Sequence, residues 1–339
     1  MAAAASNLQI RFALPVQGEL TTAHFQQVTQ PLPTVGEGQL LVRNVILSLD
    51  PYQRRQMMPG VKYSEPLNVG DVMVGRTVAR VLVSRAPGLV EGDWVRGSFG
   101  WQSHAAVDAA RAERLVLDGF SPSAYLGVLG SPGLTAWVGL RAIANARAGE
   151  TVLVSAVTGT VGSVVAALAA ATGCRVIGVA GGPQKCAYAV EQLHCEACLD
   201  HRAADFAEQL ARATPQGIDV DFENVGGPVF DEVLARLNDF ARVALCGLVS
   251  QYNQVQPYGM RNTAELLNKN VMLQGFRVSH YQQHRAAAFA EISGLLRSGV
   301  LRQDETVVEG LEHAPEACIA MLSGRHVGKQ LVRIGPDDE

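Results

Sequence analysis

The sequence predicts a two-domain α/β protein in which a β-rich N-terminal segment is followed by a doubly wound parallel sheet. From about residue 127, six apolar runs alternate with helix-compatible stretches, a pattern typical of such a sheet. Residues 8–125 instead contain short apolar runs interrupted by glycine and proline, which favours a β domain. A chain of 339 residues is long enough for two domains and a large core.

Each element of this fold has its own local pattern. In the β-rich segment the strand candidates are residues 39–45, 72–83 and 93–98. The strands of the parallel sheet are predicted near residues 151–156, 174–180, 197–200, 219–223, 242–249 and 271–278. Helices are predicted between them at residues 162–172, 184–194, 203–213, 228–238 and 260–268.

The end of the chain returns to a strand–helix–strand pattern after a helical run that reaches about residue 297. The last strand candidate is Lys329-Gln-Leu-Val-Arg-Ile334, and we expect it to rejoin the N-terminal β domain. The predicted domains are therefore residues 1–126 together with 300–339, and residues 127–299.

Composition favours a soluble cytoplasmic enzyme. The hydrophobic fraction of 48% and the charged fraction of 18% fit an ordinary globular protein. A net charge of −4 gives no electrostatic reason to expect nucleic acid or an anionic membrane as a partner. The N-terminus lacks the basic and apolar regions of a signal peptide, and the longest apolar run, near residues 164–171, is too short to span a membrane.

All six cysteines lie in the second half of the chain. Cys195 and Cys198 have the spacing of a metal-binding pair, but no second pair completes a four-ligand site. We interpret them as reduced thiols placed by chance, and we predict no metal site.

Residues 151–163 combine a β-branched run, a glycine turn and a stretch of small, helix-compatible residues. In such a turn, Gly159 would let the backbone approach a pyrophosphate, and Gly162 would let helix and strand pack closely. The first glycine of the usual pattern is replaced by Val157, which makes the motif weak by itself. Its position between a predicted strand and a predicted helix nevertheless indicates a dinucleotide cofactor.

The residues after this turn indicate which dinucleotide. No Asp or Glu occurs between Glu150 and Glu191. Sites that prefer NAD usually place an acidic residue about 20 positions after the glycines, where it holds the ribose hydroxyls. Lys185, at the end of the second predicted strand, instead suits a 2′-phosphate. The predicted cofactor is therefore NADP(H).

Two later strand ends are expected at the same site, because ligands of doubly wound sheets bind at the carboxyl ends of the strands. The fourth strand is followed by Asn224-Val-Gly-Gly227, and the fifth ends in Cys246-Gly-Leu-Val-Ser-Gln-Tyr-Asn253. Asn224 and Tyr252 are thus expected near the nicotinamide half of the cofactor.

Taken in order, these motifs resemble the medium-chain dehydrogenase/reductase superfamily. Within it they resemble the zinc-independent, NADP-dependent alkenal/enone double-bond reductases, the branch of prostaglandin reductase and bacterial curcumin reductase. The matching segments cover nearly the whole chain: Leu47-Ser-Leu-Asp-Pro-Tyr-Gln-Arg54, Gly130-Ser-Pro-Gly-Leu-Thr-Ala136, Ala156-x-x-Gly159-x-x-Gly162, Gly181-Gly-x-x-Lys185, Glu223-Asn-Val-Gly-Gly227, Cys246-Gly-Leu-x-Ser-x-Tyr-Asn253 and Gly324-x-x-x-Gly-Lys329.

The resemblance implies a GroES-like β-barrel domain with an inserted Rossmann domain, NADPH as hydride donor and a homodimer. It places cofactor contacts at Gly159, Thr160, Val161, Gly162, Lys185, His201, Asn224, Cys246, Gly247, Ser250, Tyr252, Phe276, Val278 and His326. Two of these depart from prostaglandin reductase. His201 stands where that enzyme has a tyrosine, although the bacterial branch has histidine there, and His326 stands where an asparagine is usual in the family. The phosphate site would then depend on Lys185 together with His201.

The same resemblance argues against catalytic zinc. Zinc alcohol dehydrogenases of the superfamily take ligands from an N-terminal-domain cysteine and a Gly-His-Glu segment. This chain has no cysteine among its first 173 residues and no histidine in residues 69–75. Alcohol oxidation assisted by a Lewis acid is therefore not the expected reaction.

The expected reaction is reduction of the C=C bond of an α,β-unsaturated aldehyde or ketone, with hydride added to the β-carbon and a proton to the α-carbon. A tyrosine hydroxyl, whose ordinary pKa is about 10, is a suitable donor to the enolate oxygen that develops. The catalytic candidates are Tyr252 and Tyr63, which would also contact the substrate. Tyr52 and Arg54 are candidates for shaping the substrate pocket or the domain interface.

Two alternatives remain open. An NADPH:quinone oxidoreductase of the same superfamily would share the glycine turn and the absence of zinc. A non-catalytic NADP(H)-binding protein that senses redox state would keep Gly159, Gly162 and Lys185 but would need neither tyrosine.

Overall fold

The computed structural model describes residues 6–58 and 67–335. Two compact units make up the chain, Met1–Leu126 with Glu305–Glu339, and Gly127–Asp304. The second boundary lies between residues 304 and 305. The sequence pattern predicted it between residues 299 and 300.

The residues that the structure describes contain fifteen strands and nine α-helices. The strands are β1 (Ser6–Phe12), β2 (Phe25–Pro31), β3 (Gln39–Ser48), β4 (Thr77–Ser84), β5 (Trp94–Gly97), β6 (His104–Asp108), β7 (Glu113–Arg114), β8 (Thr151–Ser155), β9 (Arg175–Ala180), β10 (Ala197–Asp200), β11 (Ile218–Glu223), β12 (Leu237–Leu245), β13 (Met272–Gly275), β14 (Glu305–Glu309) and β15 (Lys329–Arg333). The α-helices are α1 (Tyr52–Gln56), α2 (Ser131–Trp137), α3 (Thr160–Thr172), α4 (Pro183–Gln192), α5 (Phe206–Ala213), α6 (Gly227–Arg236), α7 (Ala264–Asn268), α8 (Arg285–Arg297) and α9 (Ala314–Leu322).

The second unit is built on a six-stranded sheet in the order β10-β9-β8-β11-β12-β13. All neighbouring strands in it are parallel. The chain starts at β8, moves outward through β9 and β10, and then crosses to β11 on the other side of β8. The predicted doubly wound sheet is confirmed, and its switch point lies between β8 and β11, where such folds bind ligands.

Helices pack in two groups around this sheet. The helices α2, α3 and α8 contact one another, and α6 contacts both α5 and α7. Every residue of β8, Thr151–Ser155, is buried. A parallel sheet covered on both faces requires strands that are apolar on both sides, which explains the continuous apolar run that predicted β8.

The first unit contains a mixed sheet in the order β14-β15-β3-β4-β5-β7, with β6 also paired to β3, and a separate antiparallel pair β1-β2. The strand β15 lies antiparallel to β3, with Val332 opposite Leu47. The prediction that the terminal strand rejoins the N-terminal β domain is therefore confirmed.

Two strands of the parallel sheet differ from their predictions: β13, which ends at Gly275 and not at residue 278, and β12. The strand β12 covers Leu237–Leu245, whereas the apolar pattern predicted residues 242–249. Its early residues form an irregularity opposite β11, where Phe240 has a φ of 61°. After Leu245 the chain leaves the sheet and forms a 3-10 turn at Val249–Gln251, so the apolar residues there belong to a loop.

Within residues 6–58 and 67–335, no helix is both long and apolar enough to cross a membrane.

Candidate active site

The turn between β8 and α3 is held by backbone hydrogen bonds. Ala156 has a φ of 51°, which is uncommon for a residue with a side chain. The amide of Val157 donates to the carbonyl oxygen of Val179 in β9 at 3.1 Å, and the amide of Gly159 donates to that of Ala156 at 3.0 Å. The turn is therefore fixed to the sheet before α3 begins.

Gly162 lets α3 start close to this turn. A Cβ atom at residue 162 would lie 2.5 Å from the carbonyl oxygen of Ala156 and 2.6 Å from Val157 Cα. The amides of Thr160 and Val161, in the first turn of α3, have no acceptor within the helix. That first turn lies wholly within the described residues and contains no acidic residue. Such a helix N-terminus favours an anion, so the geometry fits the pyrophosphate of a dinucleotide.

The carboxylate of Asp200 joins the ends of β9 and β10. Asp200 Oδ1 accepts hydrogen bonds from the amides of Gly182 at 2.9 Å and Arg202 at 3.0 Å. Partial burial raises the pKa of Asp200, but these two amides and the neighbouring positive charges outweigh it, so the pKa is lowered overall. Asp200 therefore stays charged while it orders the turn that carries the basic side chains.

Three basic side chains meet at this turn. The position of a Cβ atom on Gly181 would lie 2.9 Å from His201 Nε2 and 3.2 Å from Arg202 Cζ. The pKa of both Lys185 and His201 is lowered. Partial burial is the larger cause, and repulsion from the positive charge of Arg202 is the second. Because each positive charge disfavours the others, this group of Lys185, His201 and Arg202, termed the basic cluster, is suited to an anion that neutralises it.

Arg202 is absent from the residues predicted for the site. The sequence offered one signal, since a basic residue stands two positions after the end of β10. Only the pairing of β10 with β9, which sets Asp200 opposite Ala180, places it beside Gly181 and Lys185.

Glu223, at the end of β11, is a second residue that the sequence analysis did not assign to the site, although it begins one of the matching segments. Its buried Oε1 accepts hydrogen bonds from Ser155 Oγ at 2.8 Å and from the amide of Gly226 at 2.8 Å. Burial raises the pKa of Glu223 despite these donors. The side chain thus connects the end of β8 to the loop that follows β11.

Asn224 is held by the same serine. Its side-chain Nδ2 donates to the carbonyl oxygen of Ser155 at 2.7 Å, and its amide donates to Ser155 Oγ at 2.7 Å. The side chain is therefore oriented by β8 at the switch point of the sheet, directly after β11, and its contact with the nicotinamide stays a prediction.

The segment after β12 folds back onto this loop. The amide of Cys246 donates to the carbonyl oxygen of Glu223 at 2.8 Å, and Ser250 Oγ donates to that of Val225 at 2.6 Å. A Cβ atom on Gly247 would lie 3.7 Å from the Tyr252 hydroxyl oxygen and 3.1 Å from the carbonyl oxygen of Asn224. The structure thus brings Tyr252, Gly247, Ser250 and Cys246 together with Asn224.

Phe276 and Val278 follow β13 in the same unit. The ring of Phe276 packs edge-on against Phe222 and against Tyr281, with centroid distances of 6.4 and 6.1 Å. Val278 begins a 3-10 turn and is half-buried. Phe276 therefore has a packing role, and direct cofactor contacts at Phe276 and Val278 stay predictions.

Four predicted residues belong to the first unit. Tyr63 lies outside the described residues. Tyr52 begins α1, where the guanidinium of Arg76 lies 5.9 Å from its ring centroid. Arg54 is 1% exposed, and its Nη2 donates to the carbonyl oxygen of Gly18 at 2.6 Å. This burial indicates that Arg54 supports the fold of the first unit from its interior. Substrate contacts by Tyr52, Arg54 and Tyr63 stay predictions. A cofactor contact by His326, which is half-buried, also stays a prediction.

The Asp-Pro-Tyr motif and the terminal Gly-Lys motif meet in a buried ion pair. Lys329 Nζ lies 2.6 Å from Asp50 Oδ1 and donates to the carbonyl oxygen of Leu49 at 2.7 Å. Burial raises the pKa of Asp50, but the charges of Lys329 and Arg76 and the hydrogen bonds outweigh it, so the pKa is lowered. Two motifs that were separate in the sequence therefore form one structural element.

Among the described residues, no group of three or more His, Cys, Asp or Glu side chains is arranged to hold a metal ion.

The parallel sheet, the glycine turn and the basic cluster define a dinucleotide-dependent oxidoreductase. Two family models match the chain: the N-terminal domain of oxidoreductase over residues 9–115, and zinc-binding dehydrogenase over residues 160–294. The chain belongs to the NADP-dependent alkenal/enone reductases of the medium-chain dehydrogenase/reductase superfamily. The resemblance seen in its motifs is confirmed.

Individual relatives match over nearly their full lengths. The chain is 45% identical over 324 residues to the NADPH-dependent curcumin reductase of Escherichia coli, covering 93% of each chain. It is 35% identical over 303 residues to the NADP-dependent 2-alkenal reductase of Nicotiana tabacum, covering 88% of each. The crystal structure of CurA from Vibrio vulnificus in complex with NADPH is 42% identical, with a TM-score of 0.93 over 98% of this chain and 100% of that one.

Proposed function

We propose that this protein uses NADPH to reduce the carbon–carbon double bond of α,β-unsaturated aldehydes and ketones. The observation that carries the proposal is the distribution of polar groups along one sheet. The basic cluster follows β9 and β10, the glycine turn follows β8, and Asn224 and Tyr252 follow β11 and β12. The relatives named as curcumin and alkenal reductases support the same reaction.

The arrangement fits NADPH from end to end. The basic cluster would hold the 2′-phosphate, because arginine and lysine supply charge-assisted hydrogen bonds to phosphate oxygens. The first-turn amides of α3 would hold the pyrophosphate. Asn224 and the segment 246–252 would position the nicotinamide, since they lie across the switch point from the basic cluster.

When bound, NADPH supplies a hydride to the β-carbon of the substrate. Negative charge then develops on the carbonyl oxygen, and a fixed hydrogen-bond donor at that oxygen lowers the barrier. The Tyr252 hydroxyl is the donor that we assign to this oxygen. Its loop is fixed by the hydrogen bonds from Cys246 to Glu223, the last residue of β11, and from Ser250 to Val225 after it, so the hydroxyl is oriented before the substrate arrives.

We also propose that the enzyme requires no zinc, works in the cytoplasm and forms a homodimer. The absence of cysteine from the first 173 residues supports zinc independence. The free state of all six cysteines supports a reducing compartment. The position of β13 at one edge of the sheet, where Met272 is exposed, supports pairing between copies. Metal analysis of the purified protein, localisation of a tagged copy and light scattering test the three statements.

The reaction is tested by following NADPH oxidation spectrophotometrically with a 2-alkenal, an aryl enone and a quinone as separate substrates. We expect turnover with the first two, together with a saturated carbonyl product in mass spectrometry. Turnover with the quinone alone would instead establish the quinone oxidoreductase alternative. Binding of NADPH without turnover of any substrate would establish the redox-sensing alternative.

A further inference from the structure

We propose that Asp231 is a positioning residue for the reduction: it anchors the far end of the loop that carries Tyr252 and so keeps the tyrosine hydroxyl oriented toward the developing enolate oxygen. This loop, termed the Tyr252 loop, comprises residues 252–262. Asp231 lies within α6, outside every sequence segment that pointed to the site. The inference rests on the proposed function, because that function gives the Tyr252 hydroxyl its role as donor.

The near end of the Tyr252 loop is fixed to the turn that precedes α6. The amide and the hydroxyl of Ser250 both donate to the carbonyl oxygen of Val225, at 3.0 and 2.6 Å. The position of a Cβ atom on Gly226 would lie 2.6 Å from Leu248 Cδ2, so the segment lies directly against this turn. Tyr252 follows two residues after Ser250, which places one anchor close to the tyrosine.

Asp231 fixes the far end of the loop to α6 itself. Its Oδ2 accepts a hydrogen bond from the Tyr258 hydroxyl at 2.6 Å, and its Oδ1 accepts one from the amide of Arg261 at 2.9 Å. Asn262 Nδ2 donates to the carbonyl oxygen of Asp231 at 2.8 Å. Asp231 is 5% exposed, so water does not compete for its carboxylate. One buried residue thus holds three residues of a loop in which all positions are described and form neither helix nor strand.

The protonation states suit this anchor. Partial burial raises the pKa of Asp231, but the hydrogen bonds from Tyr258 and from the amides of Arg261 and Asn262 outweigh it, so the pKa is lowered overall. The hydrogen bond to Asp231 is the largest cause that raises the pKa of Tyr258. At neutral pH the carboxylate is therefore charged and the phenol protonated, and a charged acceptor forms stronger hydrogen bonds than a neutral one. The guanidinium of Arg261 also lies 5.4 Å from the Tyr258 ring centroid.

The far anchor matters for Tyr252 because little else holds the loop between the two ends. Tyr252 lies six residues before Tyr258, and residues 254–257 are all exposed. Without Asp231 the loop would sample more conformations, and the hydroxyl would be oriented for less of the time. A misplacement of about 1 Å can cost roughly 10²-fold in rate. We expect a smaller effect from partial release, a roughly tenfold loss of kcat in Asp231→Ala, with KM for NADPH changed much less.

The test measures kcat and KM for NADPH with an aryl enone in the full-length protein. Asp231→Asn keeps an oxygen that accepts from the amide of Arg261 and should restore most of the activity lost in Asp231→Ala. Tyr258→Phe keeps the buried carboxylate and its backbone donors, and should lower kcat about threefold, as loss of one hydrogen bond does. Glu232→Ala is the matched control, because Glu232 is the next residue along α6 and its carboxylate is exposed; it should leave kcat unchanged.

A double-mutant cycle separates positioning from a general loss of structure. In the Tyr252→Phe background, Asp231→Ala should lower kcat by less than about twofold, because the hydroxyl that Asp231 positions is already absent. A full loss in that background would show that Asp231 acts on the fold as a whole and would overturn the positioning role. A normal kcat in both Asp231→Ala and Tyr258→Phe would also overturn it.

Limited trypsin digestion tests the anchor without the reaction. Trypsin cleaves after Arg261, whose amide Asp231 holds, so release of the loop should speed this cleavage several-fold in Asp231→Ala but not in Glu232→Ala. Cleavage at the wild-type rate would overturn the anchor itself. Absence of enone turnover by the wild-type protein would overturn the proposed function and the catalytic part of this inference, whereas faster cleavage after Arg261 would still establish that Asp231 holds the loop.

Discussion

Replacing Arg202 by alanine should weaken NADPH much more than NADH, because only NADPH carries the phosphate that the basic cluster would bind. A hydrogen bond to a charged group contributes about 1.5–3 kcal/mol. Arg202 is exposed, so screening by water favours the lower end, about 1.5 kcal/mol. This corresponds to a rise in KM for NADPH of about tenfold.

Part of this loss should be offset within the cluster. Arg202 lowers the pKa of Lys185 and of His201 by repulsion, and its removal lets both hold a proton more readily. Arg202→Ala and Lys185→Ala should therefore be non-additive, as expected for groups that share one ligand. The combined variant should lose more NADPH affinity than the two single losses added together, because Lys185 is then no longer present to offset the loss of Arg202.

The assay measures kcat/KM for NADPH and for NADH with one enone at low and high salt. Arg212→Ala is the matched control, because Arg212 is an exposed arginine of the same unit that pairs with Asp205 at 3.6 Å. The control should leave the ratio of the two cofactors unchanged. An unchanged ratio in Arg202→Ala as well would refute the phosphate role of Arg202.

Three further predictions concern the donor, the buried ion pair and the glycine turn. Tyr252→Phe should lower kcat roughly 10²-fold, as loss of one oxyanion donor does, with KM for NADPH nearly unchanged. A normal kcat would show that the Tyr252 hydroxyl is not the donor to the developing enolate oxygen. Lys329→Met leaves Asp50 buried without its cation and should cost about 3–5 kcal/mol of unfolding free energy in urea titration. The pKa of Asp50 is lowered in the folded protein. The charged carboxylate therefore stabilises the fold above the ordinary aspartate pKa of about 3.9, and this stabilisation is lost as the pH falls below that value. Below that pH, the unfolding free energy should fall less steeply in the variant than in the wild type. Gly162→Ala places a Cβ atom 2.5 Å from the carbonyl oxygen of Ala156. It should lower the unfolding free energy by about 1–3 kcal/mol and raise KM for NADPH. Unchanged stability and KM would contradict the close approach of α3 to the glycine turn.

The sequence predicted the parallel sheet well because its signals are local. The apolar run of β8 and the small residues of α3 are continuous in the chain, and their boundaries in the structure lie within two residues of the prediction. The strand β12 was predicted less well, since its irregularity at Phe240 follows from pairing with β11 and has no periodic pattern of its own.

The candidate site was predicted in part for the same reason. Gly159, Gly162 and Asn224 follow strands directly, so their place at the end of the sheet follows from local order along the chain. The roles of Arg202 and Glu223 depend on contacts between strands, to Gly181 in one case and to Ser155 in the other. A single sequence does not specify which strand lies beside which.

The sequence by itself determined the order of strands and helices, the glycine turn and the absence of acidic residues that favours a phosphate-bearing dinucleotide. Only the tertiary structure decided that Lys329 neutralises Asp50 and that Arg202 lies beside Gly181. The physical reason is distance along the chain: periodicity reports which face of an element is buried, whereas strand pairing and packing decide which distant charges meet.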